Sequence, residues 1–276
     1  MSTAADVIDA LAMVPGVDPR RCRISQLGGG LTNRVYRVRS GEREFALRLD
    51  AQVDGVTPDR RCETAIMRRA GDAGIAPAVV CSLPEAGVLV TEYLPGKVWQ
   101  ERDLESSDNL EALAQLLRRV HALPACGTAF DAERFADHYR QTIGETDAKA
   151  AFASRCVGIV RARSVPESTA CCHNDIVASN VIQSAGLKLI DWEYACDNDP
   201  LFDLASAIGY HDLGDRQRKV LLDAYTGGTG NELGERLVEQ VRVYDALQWL
   251  WLAARAAVSP VGNRARRLTQ LERRIG

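Results

Sequence analysis

The hydrophobic pattern changes period at Pro95-Gly96, and that change limits the folds open to the chain. Before it, RCRISQL (21–27), VYRVRS (35–40), EFALRLD (44–50) and GVLVTEYL (87–94) alternate or run apolar between polar or glycine-rich turns, which predicts strands. One helix is expected among them, over 58–74. It starts on a proline, carries Ala65, Ile66, Met67 and Ala70 as apolar positions, and stops on Gly71 and Gly74. Past residue 100 the spacing becomes helical. SDNLEALAQLLRRVHAL sets Leu110, Leu113, Leu117 and Val120 on one face, with Asp108 and Glu111 as a capping-box-like start. Segments 131–163, 199–226, 231–258 and 260–275 also read as helices, and short strands at VIQS (181–184) and LKLI (187–190) interrupt them. The prediction is an α+β chain in two regions, 1–95 and 96–276, a division that suits a ligand cleft.

A length of 276 residues allows one large or two modest domains. The net charge of −3 gives no global pull toward nucleic acid or an acidic membrane. Eight cysteines lack any C-x-x-C or zinc spacing, so free thiols in a reducing compartment are expected. The opening MSTAADVIDALAMVPGVD reads as a short amphipathic helix rather than a signal, and no run is long enough to span a bilayer. A cytoplasmic protein follows as an expectation.

The chemistry concentrates in HNDIVASN (173–180) and LKLIDWEYA (187–195). Each polar residue alone is explained by a turn. Together they are more specific. Asn180 enters the first short strand and Asp191 leaves the second, so a hairpin would bring the two side by side. Two protein oxygens are enough for Mg²⁺, which keeps waters and takes phosphate oxygens for the rest. Asp175, one short turn away, could accept a proton from an attacking hydroxyl.

A phosphate cradle and a cation should complete such a site. GGGLTNRVY (28–36) lies between two strands and could turn backbone N–H groups toward phosphates, although hairpins want glycine for the same backbone reasons. No G-x-x-x-x-G-K-[ST] is present, which excludes a P-loop. Arg48 is the cation candidate, and Glu63 on the following helix is placed to pair with it across the sheet.

Glycine-rich loop, strand cation, helix glutamate, H-x-D-x-x-x-x-N and hydrophobic strand plus aspartate occur in the order of protein-kinase-like enzymes. The sequence resembles the choline/ethanolamine kinases and the wider aminoglycoside-phosphotransferase-like small-molecule kinases, most specifically in HNDIVASN and LIDWEYACDNDPLFDLA. The resemblance implies a bilobed protein-kinase-like fold with a small antiparallel-sheet N-lobe carrying one helix (1–95) and a larger, mainly helical C-lobe (96–276). It implies ATP and Mg²⁺ as cofactors. Asp175 matches the catalytic base and His173 the residue bracing its loop. Asn180 and Asp191 match the metal ligands, with Glu193 assisting. Gly29, Gly30, Thr32, Asn33, Arg48 and Glu63 fall on the nucleotide side, and Thr91 to Leu94, with Glu92 and Leu94 foremost, on the adenine hinge. Asp203 looks like the buried aspartate that pins the catalytic loop.

DWEYACDNDP runs almost directly into a helix, leaving no long activation segment and favouring a small acceptor over a protein. Choline kinases share a W-x-x-W pair that boxes the quaternary ammonium; here Trp251 is retained and Gln248 stands at the partner position. A cationic acceptor wants aromatic faces and carboxylates. Tyr194, Tyr210, Tyr244, Trp249 and Trp251 are the candidates, with Glu193, Asp212 and Asp245 for charge, and Tyr244, Gln248 and Trp251 share one helix face. A helical aromatic stripe is as often core. His121 reads as a buried helix-end histidine, and His138 and His211 show no pattern. The expected activity is phosphorylation of choline, ethanolamine or a similar amine alcohol, with no nucleic-acid or membrane partner. Thiamine kinase or another kinase of the same group is the same-class alternative, and a non-catalytic nucleotide-binding module the alternative from another class.

Overall fold

The computed structural model describes residues 4–27, 33–50, 59–145, 148–163, 168–228, 233–258 and 264–276. In chain order the elements begin with α1 (Ala4–Ala12), β1 (Cys22–Gln26), β2 (Asn33–Ser40), β3 (Arg43–Asp50) and α2 (Arg60–Asp72). There follow β4 (Val79–Leu83), β5 (Val88–Glu92), β6 (Lys97–Val98), α3 (Ser107–His121), α4 (Ala132–Ile143) and α5 (Ala150–Arg161). Next come β7 (Ala170–Cys172), β8 (Val181–Ser184), β9 (Gly186–Leu189) and β10 (Cys196–Asn198). Four helices close the chain: α6 (Leu201–His211), α7 (Asp215–Thr226), α8 (Gly234–Val258) and α9 (Arg264–Ile275). The fold is α+β. Its two compact units are Met1–Val98 with Ile182–Glu193, and Trp99–Val181 with Tyr194–Gly276.

The first unit is built on a five-stranded sheet of order β1-β2-β3-β5-β4. Strand alternation sends β3 side chains to opposite faces. Phe45, Leu47 and Leu49 join Val38, Val88 and Val90 in a core closed by Val7, Leu11 and Val14 of and after α1. Arg48, between them in sequence, therefore leaves on the other face, where α2 supplies Glu63. Asp59 starts α2, its carboxylate accepting the N–H groups of Arg61 and Cys62; the expected proline start at Pro58 lies outside the described residues. Strand β4 was not expected, because Gly74 and Pro77 mark a turn and VVCSL is short; it pairs with β5 through a register shift between Val79 and Cys81.

The 182–193 segment belongs to this unit although the sequence pattern puts it with the helices. Backbone pairing explains the difference. Strands β6, β8 and β9 form one sheet, Leu189 N–H donates to Ile75 O at 2.8 Å, and Lys188 Nζ donates to Gly74 O at 2.9 Å.

In the second unit α8 packs against α4, α5, α6 and α9, which is why it is buried on most of its circumference. The expected 131–163 helix is two helices, because Gly144 ends α4 at φ +83°. The expected 199–226 helix also divides, at Asp212, whose φ of +55° ends α6. Ser106, rather than Asp108, caps α3 by accepting from Asn109 N–H at 3.4 Å. Strands β7 and β10 pair antiparallel, a short ladder that no periodicity could reveal.

Gly96 lies so close to β8 that an added Cβ would overlap the Gln183 carbonyl oxygen. Gly96→Ala is expected to cost about 1–3 kcal/mol through that overlap. Gly158→Ala, where a Cβ meets open space, should be neutral or stabilising. Urea denaturation of both variants checks this, and equal midpoints would contradict it.

Candidate active site

Residues 173–178 connect β7 to the start of β8 in irregular backbone, which leaves buried N–H groups in need of acceptors. Side chains of α6 supply them. Asp203 Oδ2 accepts from His173 N–H at 2.9 Å and Oδ1 from Asn174 N–H at 2.7 Å. Ser206 Oγ accepts from Ile176 N–H at 2.7 Å, and His211 Nε2 from Ala178 N–H at 2.9 Å. His211 accepts only when neutral; burial first, then the charge of Arg267, brings its pKa down to about 4. Burial works to raise Asp203, yet the hydrogen bond from His121 and the other donors around it outweigh that and lower its pKa.

This frame presents Asp175 and Asn180. Asn174 sits at φ +65°, a left-handed conformation few non-glycine residues adopt, and its side chain is tied to Tyr194 O and to Asn198 Nδ2. Asp175 follows it, half-buried. Asn180 Nδ2 donates to both the Asp175 carbonyl and Asp175 Oδ2, each at 3.0 Å, so Oδ1 is the side-chain atom Asn180 has left to offer a cation. His173 is fully buried, consistent with packing under the loop rather than contact with a substrate.

The first unit holds the other candidate residues in one ionic cluster. Arg48 forms a two-pronged pair with Glu63, one contact at 2.7 Å, and lies 3.2 Å from Asp50 and 3.8 Å from Asp191. Arg60 reaches Asp50 at 2.7 Å, Glu63 at 3.0 Å and Glu193 at 3.3 Å. Two arginines thus meet four carboxylates, leaving a formal excess of two negative charges. Burial raises the pKa of Asp50 against the pull of both arginines. Asn33 Nδ2 donates to Glu193 Oε2 at 2.8 Å, and its own buried Oδ1 has no hydrogen-bond partner among the described residues. Asp191 is at φ +62° with 40% of its side chain exposed. A net negative, all-oxygen set with one carboxylate open to solvent fits a hard divalent cation such as Mg²⁺.

The remaining nucleotide-side positions are divided. Gly29, Gly30 and Thr32 lie outside the described residues. Glu92 ends β5; its N–H donates to Ala78 O and that of Tyr93 to Glu44 O, while Leu94 is half-buried just beyond.

The acceptor candidates differ in their surroundings. Tyr210 is exposed and Tyr244 buried, and the charge of Asp175 helps raise the pKa of both after burial itself, which places both phenols in the field of Asp175. Tyr194 stands edge-on to Phe135. Gln248 Oε1 accepts from Arg267 at 2.8 Å, and Trp251 lies under Arg255 at 5.4 Å. Trp249 is wholly buried against Phe152.

A family model described as the phosphotransferase enzyme family matches residues 23–239. The chain belongs to that family. The chain is 26% identical to Protein LicA of Haemophilus influenzae over 220 residues, 73% of this chain and 62% of that protein. Over 188 residues it is 27% identical to a thiamine kinase of Escherichia coli, covering 66% of this chain and 65% of the relative. The chain therefore spans a little under two thirds of the length of these curated relatives. Its fold is similar to that of a choline/ethanolamine kinase family protein from Mesorhizobium loti, at 25% identity and TM-score 0.77, over 98% of this chain and 94% of the other.

Sequence reasoning missed Arg60, Ser206 and His211. The signals were present but faint: Arg60 is three residues before Glu63, and Ser206 and His211 continue the Asp203 face at helical spacing. Arg60→Ala removes a cation from a buried cluster and is expected to cost about 3–5 kcal/mol. Its neighbour Arg61 pairs with Glu85 at 2.6 Å, but both side chains are at least 78% exposed. Arg61→Ala should therefore leave stability close to that of the wild type. Denaturant unfolding of the two variants separates the cases, and similar losses would contradict the buried-cluster account.

Proposed function

We propose that this phosphotransferase moves the γ-phosphoryl group of ATP to the hydroxyl of a small amine alcohol, choline or ethanolamine. The observation that carries the reading is the Asp175–Asn180 loop, locked to α6 through four backbone N–H groups, with Tyr210 and Tyr244 in the field of Asp175. Asp175 orients the acceptor hydroxyl and takes its proton as the oxygen bonds to phosphorus. Arg48, held by Glu63, faces the nucleotide phosphates. Asn180, Asp191 and Glu193 are the residues that would supply oxygen ligands to Mg²⁺, and the ion would offset charge on the transferring phosphoryl group. Arg60 and Asn33 keep Glu193 in place through its Oε2. The half-buried carboxylate and the aromatic rings near it suit a positively charged acceptor.

Thiamine is the second reading. It is supported by the identity to thiamine kinases and by Gln248, whose amide oxygen is bound to Arg267 where an aromatic partner for Trp251 would complete a box around a quaternary ammonium.

ADP release with Mg²⁺-ATP and a panel of choline, ethanolamine, thiamine, sugars and kanamycin tests both. Choline or ethanolamine should raise the rate at least about 10-fold over ATP alone, a modest fraction of what base catalysis and positioning supply. A response to thiamine only would replace the first reading with the second. ATP binding without acceptor-dependent ADP from any member would overturn both in favour of a non-catalytic nucleotide-binding module.

A further inference from the structure

His121 and Tyr225 stand behind the loop, and neither belongs to the site as described. His121 closes α3, with a side chain only 6% exposed. Its Nε2 lies 3.0 Å from Asp203 Oδ2, and its Nδ1 lies 2.8 Å from the Tyr225 hydroxyl on α7. Asp203 oxygens can only accept, so the proton facing them sits on Nε2. The Tyr225 hydroxyl both donates and accepts, so it engages Nδ1 whether or not that nitrogen carries a proton. Both ring nitrogens therefore have a partner. Burial, the largest cause, pushes the Tyr225 phenol up to about 12, so it remains a donor. The rings meet edge to face, 5.5 Å between centroids and 74° between planes, which fixes the imidazole orientation as well.

We infer that His121 is a positioning residue for the reaction at Asp175, acting through Asp203, and that Tyr225 holds its ring in the orientation that lets it do so. The chain of contacts is continuous: the Tyr225 hydroxyl with His121 Nδ1, His121 Nε2–H to Asp203 Oδ2, and Asp203 with the N–H groups of His173 and Asn174, the two residues before Asp175. Asp203 Oδ2 already carries the His173 N–H. Without His121 that oxygen would be a buried charge with one donor fewer, and the carboxylate would hold the loop less firmly. The nearby Cys172 does not make this a metal site. His121, Cys172 and Asp203 present ligand atoms within 4.8 Å of one another, but both His121 nitrogens and both Asp203 oxygens are engaged, and Cys172 Sγ contacts Asn198 O at 3.5 Å.

The inference rests on Asp175 as the base, so its test needs readouts that do not depend on the acceptor. Ring ¹⁵N chemical shifts should show a proton held on His121 Nε2 in the wild type and a changed Nδ1 environment in Tyr225→Phe. Amide exchange at His173 and Asn174 should accelerate in His121→Leu. Both measurements need no substrate and stand even if the acceptor panel fails. In turnover, His121→Leu should lose roughly 10- to 100-fold in kcat with KM for ATP within about 2-fold, as expected for displaced rather than missing machinery. His121→Gln, whose amide N–H₂ can reach Asp203, should recover much of that loss. The double variant His121→Leu/Tyr225→Phe should be no worse than His121→Leu, because the two act in series. If His121→Leu does not fold, the His121→Gln and Tyr225→Phe pair carries the same comparison. Unchanged loop exchange, unchanged kcat in a folded His121→Leu, or failure of His121→Gln to rescue would each overturn the inference.

Discussion

The catalytic-loop candidate depends on one constraint: a buried, irregular stretch of backbone must find acceptors for its N–H groups, and α6 is the element that provides them. Asp203, Ser206 and His211 face one way because they follow helical spacing, and they meet the N–H groups of His173, Asn174, Ile176 and Ala178. Each acceptor has to be in a particular protonation state. Asp203 is ionised and His211 neutral, the first because donors outweigh burial and the second because burial dominates. Burial opposes charge at both ends of this helix, and only the donors around Asp203 keep that end ionised.

The first unit is organised by charge rather than by backbone. Strand alternation turns Arg48 away from the apolar core, and the helix start turns Arg60 and Glu63 toward it. Buried ion pairs are weak grounds for stability, since desolvation offsets their attraction. The arrangement makes better sense as a preorganised electrostatic field, in which two fixed arginines hold four carboxylates and leave net negative charge beside Asp191.

The strand-to-helix switch at Pro95-Gly96 and the spacing of Asp175, Asn180 and Asp191 made the fold class and the family legible from sequence. Local pattern also found α1, β2, β3, α3 and the Arg48–Glu63 pair. What it could not find depends on long-range partners. Strand β4 and the β7–β10 ladder are too short to carry a period. The 182–193 hairpin follows its backbone pairing with β6 instead of its neighbours in sequence. His211 shows no pattern and His121 reads only as a buried helix-end histidine, because their roles are set by Ala178, Asp203 and Tyr225, residues 33 to 104 positions away from the histidine each contacts. The aromatic wall over Tyr244, Gln248 and Trp251 was drawn from helix spacing alone, which says nothing of Arg267 arriving from α9 to bind Gln248.

The central claim is that Asp175 takes the proton of an acceptor hydroxyl during phosphoryl transfer. Single-turnover transfer from Mg²⁺-ATP by Asp175→Ala, measured beside its ATP affinity, tests it most directly. The account predicts a rate lower by about 10²–10⁴-fold, the usual worth of a general base, with ATP affinity within about 3-fold of wild type. Transfer at the wild-type rate by a folded, ATP-binding Asp175→Ala would contradict it.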